Sequence, residues 1–375
     1  AIAGSGSTAG MSQKLVSALQ TGDYQAVDAV IAKHPGVADK LLPDGSTPLS
    51  WAVETQDPLM VRRLLVARAR PDAATNPAAS PLMLACEPGH AAILAMLLDA
   101  GADARRANAE GVTPLAACAG NAPSDIVARL IDAGAVVDAA DVRGQTPLMW
   151  AAANGRIENL RLLLAHGADI NAQTKDGFSP LFFAIKSSNP DIAMVVLELG
   201  GEPDHVGPEN TNAAQLAIYQ KNHAFALKMI ERGVDVAALD RNGHSLLAAA
   251  VFENQPGLVR ALLARGADPN QWTGPSKVVW RYEPNFKNGE YIAPSMHPLL
   301  IAAQKGAVDV MQLLVDAGAD PQVRMADGTT VLHAAVATGR LAPVEMALRI
   351  GVDPNAVDED GRTALHRAMR LRPNF

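Results

Sequence analysis

The amino-acid sequence predicts an all-α repeat solenoid, in which stacked helix pairs are joined by inter-repeat β-hairpin fingers. A short phrase, Thr/Ser-Pro-Leu and its degenerate copies, recurs along the chain with a step of 33 residues. A glycine recurs with the same step. Hydrophobic residues make up 49% of the 375 residues but aromatic residues only 4%, so most apolar side chains are small. Small apolar side chains favour closely packed helices over sheets.

The first residue of the recurring phrase marks one position in every unit, and one gap of 52 residues interrupts the regular step. These positions are Thr47, Ser80, Thr113, Thr146, Ser179, Asn212, Ser245, His297, Thr330 and Thr363. The periodic glycines are Gly101, Gly134, Gly167, Gly200, Gly233, Gly266, Gly318 and Gly351. The surplus of 19 residues falls within residues 271–294, which we therefore interpret as an insertion between repeats.

Each unit contains the signals of a turn followed by two helices. In one unit, Asp176 and Gly177 supply a tight turn, and Ser179 caps a helix that begins at Pro180. An alanine or cysteine lies five residues after each cap and allows neighbouring helices to approach closely. A leucine-rich second helix then ends at the periodic glycine, which is the usual residue at a helix C-terminus.

This arrangement resembles the ankyrin repeat, and the stretch GQTPLMWAAANGRIENLRLLLAHGADINAQTKDG at 144–177 carries nearly the whole consensus. The resemblance covers residues 12–371 and implies a non-catalytic protein-binding scaffold without a cofactor. We expect a single domain of about eleven units over residues 12–375, counting the helices at 13–35 as an N-terminal cap. Residues 1–11 are expected to be a flexible segment or a tag remnant.

Two departures from the ankyrin pattern affect the expected packing. The family's histidine after Pro-Leu is present only as His333 and His366, which predicts a more apolar strip and fewer hydrogen bonds between repeats. Its replacements elsewhere include Ser50, Met83, Met149, Phe182 and Leu300. Arg68 replaces the periodic glycine in the second unit, so we expect an irregular turn there.

Charge and hydropathy exclude several classes of partner. The net charge of -7 argues against nucleic acid or an anionic membrane surface, because both require a basic face. No apolar run of eighteen residues is present, so no membrane insertion is expected.

The two cysteines, Cys86 and Cys118, are expected to be small unbonded core residues. Helix layers are about 9 Å apart, whereas a disulfide requires Cα atoms within about 7 Å.

The cellular compartment of the protein can be predicted from its first ten residues, which have two interpretations. The stretch AIAGSGSTAG consists mostly of small residues and is either a tag remnant or the end left by signal-peptide cleavage. The second interpretation predicts a periplasmic or secreted protein, in line with bacterial ankyrin arrays that carry signal peptides, and the alternative is cytoplasmic.

An enzymatic function is not favoured, because the chain lacks a metalloprotease helix motif, a nucleophile elbow and a glycine-rich phosphate loop. The aspartates that follow the periodic glycines are interpreted as structural. The alternative to protein binding is a small-molecule or metal-ion accessory protein, for which Glu202, Asp204, His205 and Glu209 form the candidate site.

The inner-helix face provides one candidate partner surface. The position four residues after each cap points away from the core at about 100° per residue. Trp51, Trp150 and Phe183 occupy this position, and exposed aromatic residues are typical anchors of protein interfaces. Packing between neighbouring inner helices is the alternative for these side chains.

The insertion provides the second candidate surface, since it holds five of the chain's fifteen aromatic residues. Alternating residues around the turn signal Asn288-Gly289 predict an extended β-hairpin. Its aromatic residues either cover the neighbouring repeats or remain available for recognition, and both can hold for different faces. They are Trp272, Trp280, Tyr282, Phe286 and Tyr291. We therefore expect a scaffold that binds another protein through its concave groove and hairpin, and that can be a subunit of a larger complex.

Overall fold

The computed structural model describes residues 5–73, 80–274, 280–282, 289–291 and 294–370. These residues form an all-helical repeat solenoid with 21 α-helices and one short strand pair among them. The backbone divides into two compact units, Ala1–Gly201 and Glu202–Phe375. None of the described helices has both the length and the apolar character needed to cross a membrane.

The first unit contains twelve helices within its described residues. They are α1 (Ser5–Thr21), α2 (Tyr24–Lys33), α3 (Pro48–Glu54), α4 (Pro58–Val66), α5 (Pro81–Cys86), α6 (Ala91–Asp99), α7 (Pro114–Asn121), α8 (Ser124–Asp132), α9 (Pro147–Ala153), α10 (Ile157–Ala165), α11 (Pro180–Ile185) and α12 (Ile192–Glu198). A 3₁₀ helix, Pro35–Asp39, follows α2. Helix α1 runs through residues 5–11, which the sequence analysis sets apart from the repeats.

The second unit contains nine helices and the two strands in the part of the chain that the structure describes. They are α13 (Ala213–Tyr219), α14 (His223–Glu231), α15 (Leu246–Phe252), α16 (Pro256–Ala264), β1 (Trp280–Tyr282), β2 (Gly289–Tyr291), α17 (Pro298–Lys305), α18 (Val308–Asp316), α19 (Val331–Ala337), α20 (Leu341–Arg349) and α21 (Ala364–Ala368). A 3₁₀ helix, Pro208–Asn210, precedes α13.

The inner helices, which are the first helix of each pair, begin where the caps predict. Thr146 and Ser179 nevertheless form no side-chain cap hydrogen bond, so the predicted capping by Ser179 is wrong. The Thr113 hydroxyl accepts a hydrogen bond from the backbone N–H of Ala116 at 3.2 Å, and α7 begins at Pro114. The same bond forms from Ala248 to Ser245 in the second unit, also at 3.2 Å. Each such bond satisfies a backbone N–H that has no partner within the helix.

Small residues allow the inner helices to pack against one another. Ala151, Ala184, Ala250 and Ala302 lie five residues after their caps, and all four are fully buried. Helix α9 packs between α7 and α11 in the first unit, and α17 packs between α15 and α19 in the second. Side chains this small permit the short helix separations on which the repeat stack is built.

The apolar strip predicted from the missing histidines is present. Met83, Met149, Phe182 and Leu300 are buried where the family's histidine would lie. His333 keeps the expected link between repeats, because its Nε2 lies 2.9 Å from the carbonyl oxygen of Arg362.

In the unit that contains α13, a buried glutamine takes over the role of the family's histidine. Gln215 donates from Nε2 to the carbonyl oxygens of Ala238, at 3.1 Å, and His244, at 3.3 Å. A hydrogen-bonded link therefore reaches the following loop even without the histidine.

The fingers between repeats are held by aspartate side chains. The aspartates that follow the periodic glycines each accept a hydrogen bond from the backbone N–H two residues later, as between Asp103 and Arg105 at 2.9 Å. The same bond forms at Asp169, Asp235, Asp268, Asp320 and Asp353. Their structural interpretation is confirmed. The described inter-repeat fingers are turns rather than paired strands, with isolated bridges such as Arg324 with Thr330.

The turn at Arg68 is regular, so the expectation of an irregular turn is wrong. Arg68 adopts a φ of 63°, the left-handed conformation that the periodic glycines adopt elsewhere. Its N–H donates to the carbonyl oxygen of Leu65, and the N–H of Ala69 donates to that of Leu64, both at 2.9 Å. The two bonds hold the turn closed although a side chain is unfavourable at this φ.

Cys86 and Cys118 form a disulfide bond between α5 and α7, which overturns the expectation of two unbonded core residues. Their Cα atoms are 4.6 Å apart. The 9 Å layer spacing measures the distance between helix axes, and each Cα lies about 2.3 Å from its axis. Facing Cα atoms are therefore separated by only about 4–5 Å, and both cysteines are fully buried in this contact.

We predict that Arg68→Gly stabilises the protein by up to about 1 kcal/mol, because glycine adopts the left-handed conformation without steric cost. Urea-induced unfolding followed by circular dichroism measures the change. Arg68→Ala is the matched control, since it removes the same side chain but keeps a Cβ at a φ of 63°. An equal gain for Arg68→Ala would attribute the effect to the arginine side chain instead.

We predict that the double variant Cys86→Ala, Cys118→Ala loses about 3–4 kcal/mol of unfolding free energy, because the disulfide closes a loop between residues 32 positions apart. Urea unfolding with and without a phosphine reductant measures the loss, and the reductant should leave the double variant unchanged. Thiol titration of the denatured, unreduced protein should detect no free thiol. Two free thiols would contradict the bond.

Candidate functional site: the inner-helix face and the insertion

The inner-helix face carries a row of exposed polar residues near the end of several inner helices, as the sequence predicts. Thr55, Asn121, Asn154 and Lys305 are exposed in this row. Asn154 donates from its side chain to the carbonyl oxygen of Trp150 at 3.0 Å, so part of the row also caps helix ends. Solvent therefore reaches the inner-helix face within each unit.

The three aromatic residues predicted on this face are each half-buried. Trp51 lines a small cavity of about 170 Å³ together with Leu19 and Leu42. The indole Nε1 of Trp150 is buried without a hydrogen-bond partner among the described residues. Phe183 lines a larger cavity. Each of the three side chains is therefore partly packed and partly accessible, and their role in partner binding stays a prediction.

The cavity at Phe183, here the Phe183 pocket, has a volume of about 250 Å³ and lies between α11 and the finger before it. Phe178 forms an edge-to-face contact with Phe183, with ring centroids 6.4 Å apart. Arg143 and Lys186 also line the pocket, together with the exposed carboxylate of Asp176. An aromatic wall beside cationic side chains suits an apolar or acidic group of a partner protein.

The second unit has a comparable patch at the ends of three successive inner helices. Tyr219, Phe252 and Lys305 are the last residues of α13, α15 and α17. Phe252 is 41% exposed, and the Lys305 Nζ lies 3.9 Å from the centroid of its ring. His244 stacks on the same ring at 5.8 Å. We call these four residues the Phe252 patch.

A hydrogen-bond network supports the Phe252 patch from beneath. The Tyr219 hydroxyl lies 2.6 Å from Oδ2 of Asp240 and 2.9 Å from Nδ1 of His244. Oδ1 of the buried Asp240 accepts the backbone N–H of His244 at 3.0 Å. Charge-assisted bonds of this kind fix the orientation of the rings above them.

Burial shifts the pKa values of the ionisable groups in this network. Burial raises the pKa of Tyr219 well above its usual range, and the neighbouring Asp240 carboxylate raises it further. Burial also lowers the pKa of His244 below its ordinary value, while Asp240 opposes that shift. Both side chains are therefore held neutral near pH 7.

The insertion begins and ends at a hydrogen-bonded root. The N–H of Thr273 donates to the carbonyl oxygen of Met296 at 2.9 Å, and the N–H of Met296 donates to the Thr273 hydroxyl at 2.8 Å. The N–H of Gly274 donates to the carbonyl oxygen of Gly243, in the preceding finger, at 2.7 Å. This closure lets the chain leave the repeats and return without separating α15 from α17.

Trp272 lies at this root with 39% of its surface exposed. Its ring contacts that of His297 edge to face, with centroids 5.6 Å apart. Burial lowers the pKa of His297, and the nearby Asp320 and Asp268 oppose the shift. One side of Trp272 is thus packed and the other is accessible.

The insertion contains a strand pair, as the sequence predicts, but Gly289 lies in β2 and not in the predicted turn. Strands β1 and β2 are antiparallel, with Trp280 opposite Tyr291 and Tyr282 opposite Gly289. The structure describes the backbone of these aromatic residues but not their side chains, and Phe286 lies outside the described residues.

A comparison with known families is decisive for the architecture. The model of the family described as ankyrin repeats (3 copies) matches most of the chain. The matches span residues 15–108, 82–174, 115–206, 181–272 and 299–374. The chain belongs to the ankyrin-repeat family. Ankyrin repeats are generally protein–protein interaction modules.

The described part of this ankyrin-repeat protein contains no group of three histidine, cysteine, aspartate or glutamate side chains placed to hold a metal ion. The predicted alternative site at Glu202, Asp204 and His205 therefore gains no support from the described residues. The side chain of Glu209 lies outside the description.

Sequence reasoning missed the Phe252 patch, although a signal was present. Tyr219 and Phe252 lie seven residues after their caps, a position that Glu54, Gly120 and Ala153 occupy in other ankyrin units. Comparing every position of the repeat, rather than only those of the consensus, would have separated these two aromatic residues from the rest.

We predict that His244 and His297 both titrate below the ordinary histidine pKa of about 6.5. Because folding favours their neutral forms, their contribution to stability is complete above about pH 6.5 and decreases as the pH falls below it. Phe252→Ala should expose His244 and raise its pKa toward the ordinary value. His297 has no contact with Phe252 among those described and provides the internal control.

Nuclear magnetic resonance titration of the histidine Cε1 protons measures both values. A wild-type His244 that titrates at its ordinary pKa would contradict the burial argument. Equal shifts of the two histidines in Phe252→Ala would show that the substitution disturbs the unit as a whole.

Proposed function

We propose that this ankyrin-repeat protein is a non-catalytic scaffold that binds a partner protein through its inner-helix face and the 271–294 insertion. The observation that carries the proposal is the exposed Phe252 at the end of α15, whose ring contacts His244 and Lys305. An exposed aromatic ring fixed by its neighbours loses little conformational entropy on binding, as interface anchors require.

The Phe183 pocket and Trp272 support the same function. The pocket accepts a side chain of the partner, with Phe178 and Phe183 as apolar walls and Lys186 at the rim. Trp272 presents its accessible side at the root of the insertion. In this proposal Trp51 and Trp150 contribute further apolar contacts, and the hairpin aromatic residues Trp280, Tyr282, Phe286 and Tyr291 extend the surface.

A catalytic role has little support, since ankyrin-repeat proteins are typically non-catalytic. The Tyr219, Asp240 and His244 network contains groups capable of acid–base chemistry. However, each of them is hydrogen-bonded within the network, and burial holds Tyr219 and His244 neutral. We assign this network to positioning the Phe252 patch.

We also propose that the protein works in the periplasm or outside the cell, as a subunit that accompanies another exported protein. The buried Cys86–Cys118 disulfide supports this placement, because structural disulfides persist mainly in oxidising compartments. The cytoplasm is the alternative, in which these cysteines would remain reduced.

Affinity purification of the full chain with isotope-labelled quantification tests the function. We predict that Phe252→Ala weakens the affinity for the specific partner about thirtyfold, the effect of losing about 2 kcal/mol at an interface anchor, and so lowers its recovery. Replacing residues 275–292 with a glycine–serine linker of equal length should also reduce recovery, while Thr273 and Met296 keep the root closed.

The matched control is Leu348→Ala, which shortens an exposed apolar side chain on the outer helix α20. It should leave partner recovery unchanged. Equal recovery with wild type, Phe252→Ala and the linker variant would reject the proposed surface. A thermal shift with a small metabolite and no captured protein would favour the small-molecule alternative.

A further inference from the structure

We propose a second docking surface, on the outer helices of the first two repeats, which takes an amphipathic helix of a partner protein with acidic residues beside its apolar face. The site is the groove between α2 and α4, here the α2/α4 groove. It lies on the second helix of each pair and shares no residue with the Phe183 pocket or the Phe252 patch.

The α2/α4 groove has a volume of about 560 Å³ and a mostly apolar lining. Ile31 and Pro35 line it from α2 and the 3₁₀ helix that follows. Leu59 and Val66 line it from α4, and their side chains are 44% and 79% exposed. Because these two residues are seven positions apart, they lie on one face of α4 and extend about 10 Å along the groove.

Leu59 and Val66 depart from the pattern of the repeat. The position of Leu59 is occupied in the later outer helices only by small or acidic residues, namely Ala92, Asp125, Glu158, Asp191, Ala224, Gly257, Asp309 and Ala342. The position of Val66 is occupied by Asp99, Asp132, Ala165, Glu198, Glu231, Ala264, Asp316 and Arg349. The helix pair folds without large apolar residues at these two positions, so their presence in α4 is not required by repeat packing.

Charge at the groove selects the partner's polar residues. Arg62 lines the groove and is exposed, and Arg68 is exposed at the end of the same helix. Arg63 lies over the Tyr24 ring, with its guanidinium carbon 5.3 Å from the centroid, and pairs with Asp28. Asp28 is the only acidic residue in the lining, so the lining has an excess of positive charge although the whole chain carries -7.

The shape of the groove selects a helix as the occupant. Two neighbouring outer helices form a furrow into which a third helix can insert side chains at i, i+4 and i+7. Glutamate or aspartate beside that apolar row would lie against Arg62, which favours an acidic over a basic helix. A second copy of this chain is the competing occupant.

Fluorescence anisotropy with two designed peptides tests the proposal on the full chain. Both peptides are 18-residue helices, a length of about five turns, with the same leucine row, and they differ only in flanking glutamates or flanking lysines. The glutamate peptide should bind at least about tenfold more tightly than the lysine peptide. Val66→Asp and Leu59→Asp should each weaken its binding by about tenfold or more, and Arg62→Glu should reverse the preference.

We expect Leu59→Asp and Val66→Asp to fold, because several other repeats carry aspartate at these two positions. Val136→Asp, at an exposed valine outside the groove, and Phe252→Ala are the controls and should leave peptide binding unchanged. Circular dichroism confirms that each variant is folded.

Three results would overturn the proposal: equal affinity for the two peptides, no binding of either peptide, or unchanged binding by Val66→Asp. Sedimentation equilibrium tests whether a second copy of this chain, rather than a partner helix, occupies the groove. A wild-type dimer that becomes a monomer in Val66→Asp would assign the groove to a second copy of this chain, which also overturns the proposal.

Discussion

The structure depends on the close approach of successive inner helices at the small residue that follows each cap by five positions. Alanine is fully buried at this position in α9, α11, α15 and α17. A larger side chain there would overpack the contact and force the helices apart, at a cost of about 1–3 kcal/mol. Because each repeat buries its apolar face only against its neighbours, these contacts set the cohesion of each unit.

The same closeness explains the disulfide and the tolerance of unusual residues. Cys118 takes the place of the alanine, and the short separation of facing backbones brings it to Cys86. Arg68 adopts the left-handed conformation because two backbone hydrogen bonds hold the end of α4 closed. In both places the packing of the repeats determines the local geometry, and the side chain adapts to it.

The proposed binding surfaces lie where the repeat leaves side chains uncovered. Residues outside the cap, core and turn positions can differ between repeats. Exposed apolar residues at these variable positions are not explained by repeat packing. Phe252 on the inner-helix face and Val66 on α4 are both of this kind. A scaffold with two such surfaces can hold two partner segments at once without any change in its own fold.

The sequence by itself determined the repeat, the caps, the buried positions and the strand pair in the insertion, since each is set by local conformation and periodic burial. The sequence left open whether Trp51, Trp150 and Phe183 are packed or accessible, and the structure shows each of them half-buried. Only the tertiary structure decided the disulfide, the Phe252 patch and the α2/α4 groove. Periodicity assigns a residue to a position within a repeat, whereas these features depend on distances between atoms of different repeats, which packing alone fixes.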